Sequence, residues 1–147
     1  MTSPNDDEYA MTPFPMRFLL LPLVIAASAT WASESSLERY LDALSSGSVN
    51  DLPLTDDVTF YGALLPAPIV GREPVINFLN RVLPSIRLKE VRQRFEGNDG
   101  ACAELRFEFE GLAKQLEEAH CLEFEGELIS RIRLYYDPRP LMGEPTP

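Results

Sequence analysis

Two neighbouring segments alternate apolar and polar side chains with period two, and that pattern constrains the fold more than any other feature of the chain. Over residues 101–110, Ala101, Ala103, Leu105, Phe107 and Phe109 share one face, and Cys102, Glu104, Arg106, Glu108 and Glu110 share the other. Over residues 116–125, Leu116, Glu118, His120, Leu122 and Phe124 fall together, opposite Cys121, Glu123 and Glu125. Strands apolar on one face alone need another element to cover that face. Asn98-Asp99-Gly100, Gly111 and Glu125-Gly126-Glu127 are turn signals, which divides the region into strands over 87–96, 101–110, 116–125 and 128–136. Asp137-Pro138-Arg139-Pro140 ends the last of them.

The cover lies upstream. Leu37, Tyr40, Leu41 and Leu44 recur at helical spacing and predict a helix over 33–46, with Ser35 or Ser36 as its cap and Gly47 as its stop. Asp51 to Leu54 reads as a short helix broken by Pro53, and Val58-Thr59-Phe60-Tyr61 as a short strand. Pro74 opens a second amphipathic helix that runs to about Leu83, striped by Val75, Phe78, Leu79 and Val82. Helices first and an antiparallel meander after them make an α+β domain, its helices packed on one side of a curved sheet.

At 147 residues the chain is long enough for one real core. A net charge of −10 excludes a phosphate backbone or an anionic membrane surface as partner, because both need clustered Lys and Arg. Met16-Arg17, the apolar run 18–27 and the small residues 28–32 have the layout of a secretory signal peptide, with cleavage near Ala29 or Ala32 and a periplasmic or secreted product. Residues 1–15 are acidic and polar where a basic start is expected, and translation from Met16 removes that difficulty. The expected organisation is a leader over 1–32, one domain over 33–140 and a loose tail over 141–147. No stable membrane span is expected after cleavage. Cys102 and Cys121 lie about opposite each other if the turn centres near Leu112, so a bridge and two free thiols both remain open. No spacing suits a metal, and no cofactor is implied.

His120 is the only histidine, and it sits on a core-facing row. It is either a satisfied packing residue or the polar group of a cavity. Glu118 shares its face, as an acid/base partner or a rim salt bridge. Tyr40 is either a buried phenol with a local partner or a hydrogen-bond donor to a ligand. The outer acidic row of Glu104, Glu108, Glu110, Glu123 and Glu125 reads as a solvated face.

Three stretches resemble bacterial ketosteroid isomerases. Leu37-Glu38-Arg39-Tyr40-Leu41-Asp42-Ala43-Leu44 is similar to their first helix. Thr55 to Gly62, running on to Val70-Gly71, is similar to the next junction, and Phe107 to Gly111, His120 to Phe124 and Gly126 to Tyr135 to the closing strands. The pattern also resembles the wider SnoaL-like and nuclear-transport-factor-2-like superfamily. That resemblance implies a cone: a bent sheet wrapped on helices around an internal pocket, commonly as a homodimer. It places Tyr40 at the isomerases' first donor and His120 at the second, but Gly62 where their carboxylate base stands. Without a base, steroid isomerisation lacks its agent. Arg133 stands where the superfamily's epoxide hydrolases carry an acid. The comparison also turns Arg131, Arg133 and Tyr135 inward, ready to hold a carboxylate, whereas the apolar set Ile132, Leu134 and Tyr136 would turn them out.

Together these readings predict an exported small-molecule-binding domain. Its pocket is closed by Tyr40, Phe60, Phe78, Leu105, Phe107 and His120, and it takes a small apolar molecule with one polar end. The alternatives are an isomerase, dehydratase or hydrolase acting on a small cyclic substrate, with His120 as base, Glu118 as its aid and Tyr40 as donor, or a ligand-free dimeric interaction module.

Overall fold

The computed structural model of the chain describes residues 34–112 and 115–142. The leader expected over 1–32 and the end of the expected tail, 143–147, lie outside the described residues. No helix among those described is long and apolar enough to cross a membrane.

Helix α1 spans Ser36–Ser46. It starts three residues after the expected 33, and Ser35, one of the two expected caps, closes that end: its hydroxyl accepts a hydrogen bond from the Glu38 amide at 3.2 Å. Gly47 closes it in the left-handed region at φ 73°, and the Gly47 amide donates to the Ala43 carbonyl at 3.0 Å. Leu37, Tyr40, Leu41 and Leu44 are all buried.

The expected short helix at 51–54 is absent. Strand β1 runs over Leu54–Tyr61 instead, and Leu54 pairs with Ile129. The Ile129 amide donates to the Pro53 carbonyl at 2.6 Å, which fixes that stretch as extended. Strand β2, Ile69–Val70, pairs back onto β1. Helix α2 covers Arg72–Val82 and runs into a 3-10 turn over Leu83–Ser85. The meander follows as β3 Ile86–Glu96, β4 Gly100–Phe109, β5 Leu116–Glu125 and β6 Leu128–Tyr136.

The six strands lie in the order β2-β1-β6-β5-β4-β3. Antiparallel pairing was expected throughout, but β1 and β6 run parallel. The meander returns β6 to the first strand in the same direction, so the sheet is mixed. The helices cover its concave, apolar side, and the result is the cone-shaped α+β architecture expected.

One irregularity decides which side chains of β6 look inward. Glu123 pairs with Arg131, but the next residue, Phe124, pairs with Ile129. Ser130 is therefore an extra residue, a β-bulge, and its hydroxyl donates to the Glu123 carbonyl at 3.3 Å. The bulge lets Ile129 and Ile132, three residues apart, both be fully buried.

Cys102 and Cys121 are direct cross-strand partners and form a disulfide. Of the two options left open by the sequence, the bridge is the one adopted. Bases from adjoining strands pair with the outer acidic row, Lys89 with Glu108 at 3.1 Å and Arg131 with Glu123 at 2.6 Å, while Arg106, on the same face of β4, reaches Glu90 of β3 at 2.8 Å. Such exposed pairs each contribute little to stability.

Candidate functional site

A cavity of about 240 Å³ lies between the helices and the sheet. Helix α1 contributes Tyr40 and Leu44, β1 contributes Phe60, and α2 contributes Phe78, Leu79 and Val82. Glu118 and His120 reach it from β5, Leu134 and Tyr136 from β6. The wall is apolar apart from the Tyr136 phenol and one connected group of polar side chains.

That group is a relay. The Tyr40 hydroxyl lies 3.0 Å from His120 Nδ1, and His120 Nε2 lies 2.8 Å from Glu118 Oε2. Tyr40, His120 and Glu118 are 1%, 3% and 8% exposed, so the relay is nearly sealed. Burial pushes the Tyr40 phenol well above its ordinary ionisation range, and the Glu118 charge acts in the same direction. The phenol therefore keeps its hydrogen. A neutral imidazole placed there accepts that hydrogen at Nδ1 and donates from Nε2 to the carboxylate. Glu118 Oε1 makes no side-chain hydrogen bond among the described residues. Nor is it one of the sealed, unpartnered side-chain atoms, which are Thr55 Oγ1 and Arg131 Nε. The ring of Phe107 stacks on His120 with centroids 5.4 Å apart and planes 25° apart, which fixes the imidazole from behind.

The structure brings together Tyr40, Phe60, Phe78, Glu118 and His120 of the residues expected at the pocket. Leu105 and Phe107 belong to the core behind it rather than to its wall. The nearer wall from β4 is Phe109, because the His120 ring covers Phe107.

The inward placement of Arg131, Arg133 and Tyr135 is corrected. Because Ser130 is bulged, β6 keeps Ile132, Leu134 and Tyr136 on the inner face. Arg131 pairs with Glu123, Arg133 lies over the Tyr61 ring at 4.8 Å, and Tyr135 is 52% exposed. Neither Glu118 nor Asp137 pairs with those arginines. Glu118 instead binds His120, and Asp137 is bound by Arg139. Glu118 is likewise buried rather than at a rim.

Tyr136 is the wall residue most easily missed. It stands directly across from Glu118 on the neighbouring strand. Its phenol is pushed up by burial first; a backbone hydrogen bond from Leu64 opposes this, and the Glu118 charge adds to it. Following the apolar alternation of β6 would have found it. Leu141 also lines the cavity, from a 3-10 turn over Arg139–Leu141, although its position suggested a loose tail. Gly62 lines the wall as well, and a Cβ there would meet Leu65 at an ordinary 3.5 Å.

Residues 37–132 match the family model of the SnoaL-like domain. The chain belongs to the SnoaL-like domain family. No curated protein matches this SnoaL-like chain, but solved structures do. An NTF2-like protein of unknown function from Cytophaga hutchinsonii is 21% identical with a TM-score of 0.63, covering 74% of this chain and 96% of that one. An LEH-like epoxide hydrolase from M. tuberculosis is 18% identical with a TM-score of 0.60, covering 73% and 84%. A hypothetical protein with a ketosteroid isomerase-like fold from Catenulispora acidiphila, solved with trimethylamine, is 19% identical with a TM-score of 0.59, covering 69% and 85%. At these identities the likeness is one of fold. What this SnoaL-like domain does rests on its own cavity.

Proposed function

We propose that this SnoaL-like domain holds a small, largely apolar molecule in the cavity, with the ligand's polar end against Tyr40, His120 and Glu118. The observation that carries this reading is a hydrogen-bonded polar relay set into an otherwise apolar wall, the usual composition of a ligand pocket. Size supports it too. An apolar cavity of roughly 150 Å³ suffices for benzene, so about 240 Å³ accommodates one ring with substituents. The test is native mass spectrometry of the purified protein, followed by titration with small cyclic compounds. A bound ligand or saturable binding supports the proposal, provided that Leu134→Trp, which fills the cavity, abolishes it. A folded protein that binds none of them ends it.

The relay also favours a second reading, proton transfer on a small cyclic substrate in an isomerase, dehydratase or hydrolase reaction. Both nitrogens of His120 are engaged in the resting arrangement. The group left to receive a substrate proton is then the Glu118 carboxylate, with His120 as its positioning partner and Tyr40 as the distal end of the chain. In this reading Glu118→Gln abolishes turnover, and Tyr40→Phe lowers it while shifting its pH profile.

The same proposal includes export and a homodimer. The leader-like pattern of residues 16–32 and the Cys102–Cys121 bridge support an oxidising compartment. A mature N-terminus near residue 30 or 33, determined on protein from the native host, is the expected result, and an intact leader on folded protein ends that part. The subunit count comes from the same native mass spectrum.

A further inference from the structure

We propose that the ligand's polar end is a hydrogen-bond donor carrying positive charge, a protonated amine on a compact apolar skeleton. This rests on the ligand-binding reading above and narrows it. Three observations lead to it.

First, with the neutral imidazole described above, the relay spends its hydrogens internally. With the phenol donating to Nδ1 and Nε2–H donating to Glu118 Oε2, nothing in it is left to donate into the cavity. What it offers a ligand is lone pairs, on the Tyr40 hydroxyl and the Glu118 carboxylate, two of the residues that line the cavity.

Second, among the described residues the cavity wall contains no lysine or arginine, and Glu118 is its only carboxylate. The arginines of β6 are turned away by the Ser130 bulge, Arg131 onto Glu123 and Arg133 onto Tyr61. Glu118 is thus the one acidic group this wall presents, and a cationic ligand complements it. An anionic ligand would face uncompensated repulsion from it.

Third, the surrounding walls are aromatic. Phe60 and Phe78 pack at a centroid distance of 5.2 Å on one side, and Tyr136 stands across from Glu118 on the other. Ring faces attract cations and suit the apolar skeleton equally.

Four probes sharing one ring decide the matter: cyclohexylamine, cyclohexanol, cyclohexanone and cyclohexanecarboxylate, titrated into the full chain at neutral pH by calorimetry or ligand-observed NMR. The amine is expected to bind at least about tenfold more tightly than the ketone or the carboxylate, as a charge-assisted hydrogen bond allows. Glu118→Gln is expected to weaken the amine by about tenfold or more, and by more than it weakens the alcohol. Alcohol, ketone or carboxylate binding tightest overturns this inference and leaves the cavity reading standing. Binding by none of the four overturns both.

Should Glu118→Gln fail to fold, nitrogen NMR of His120 in the unsubstituted, ligand-free protein is the second test. The expected ring is neutral with its hydrogen on Nε2. A doubly protonated imidazolium at neutral pH frees the phenol hydrogen for a carbonyl ligand and overturns the inference by itself.

Discussion

Tyr40→Phe is the sharpest perturbation of this protein, because it removes one oxygen and nothing else. The ring remains, so the apolar contacts of α1 with the core are kept. What is lost is the hydrogen bond to His120 Nδ1 at 3.0 Å, on an imidazole only 3% exposed. Leaving a buried acceptor unpaired costs about 1–3 kcal/mol, against almost nothing when both partners are removed together. A water drawn in from the adjoining cavity would bring the cost to the low end of that range. His120→Leu is expected to cost more, about 3–5 kcal/mol, because it also strips Glu118 of its partner in a buried setting. The two changes share one bond, so a double-mutant cycle should return a coupling of about 1–2 kcal/mol. The assay is urea unfolding at neutral pH, with the m-value unchanged so that differences in midpoint report stability alone. A Tyr40→Phe protein within about 0.5 kcal/mol of the parent, together with a coupling of zero, would refute the relay as a coupled unit.

Alkaline pH gives a second handle. The Tyr40 phenol is held protonated in the fold above its ordinary value of 10.0. Its contribution is therefore intact below about pH 10 and falls as the pH rises further, since the unfolded chain releases a proton that the fold retains. The slope approaches about 1.4 kcal/mol per pH unit, and stability curves measured from pH 9 upward should flatten in Tyr40→Phe; identical slopes in both proteins would count against it. Removing the disulfide with Cys102→Ala and Cys121→Ala opens a loop with a sequence separation of 19. Chain entropy puts that loss at about 3 kcal/mol, and a melting temperature unchanged by the double substitution would contradict it. Gly100→Ala places a Cβ 2.5 Å from the Leu122 carbonyl oxygen, a backbone atom, whereas at Gly62 the nearest contact is 3.5 Å. The first should therefore cost about 1–3 kcal/mol and the second less than about 0.5 kcal/mol, both read from denaturant midpoints.

The legible parts of this fold were those written in local periodicity. Helix α1, α2 and the strands from β4 to β6 follow from spacing, caps and turn residues, and β6 was read to the residue. The strand alternation also placed His120 and Glu118 on one inner face. The stretch at 51–54 was misread because its extended form depends on Ile129, some seventy-five positions along the chain, which no local pattern reports. The parallel pairing of β1 with β6 was hidden for the same reason. Phe107 was assigned to the pocket wall because alternation tells which face a side chain takes but not which neighbour covers it. At β6 two signals disagreed. Apolar alternation put Leu134 and Tyr136 inside, family comparison put the arginines there, and the physical signal prevailed.

Ser130 shows how little separates those two outcomes. From Ile129 onward, an uninterrupted strand would carry Arg131, Arg133 and Tyr135 on the inner wall. One inserted residue reverses the whole set and exchanges a cationic interior for an apolar, acid-marked one. Indels at this point would therefore let a single scaffold trade one class of guest molecule for the opposite charge class in one evolutionary step, with the rest of the cavity wall untouched.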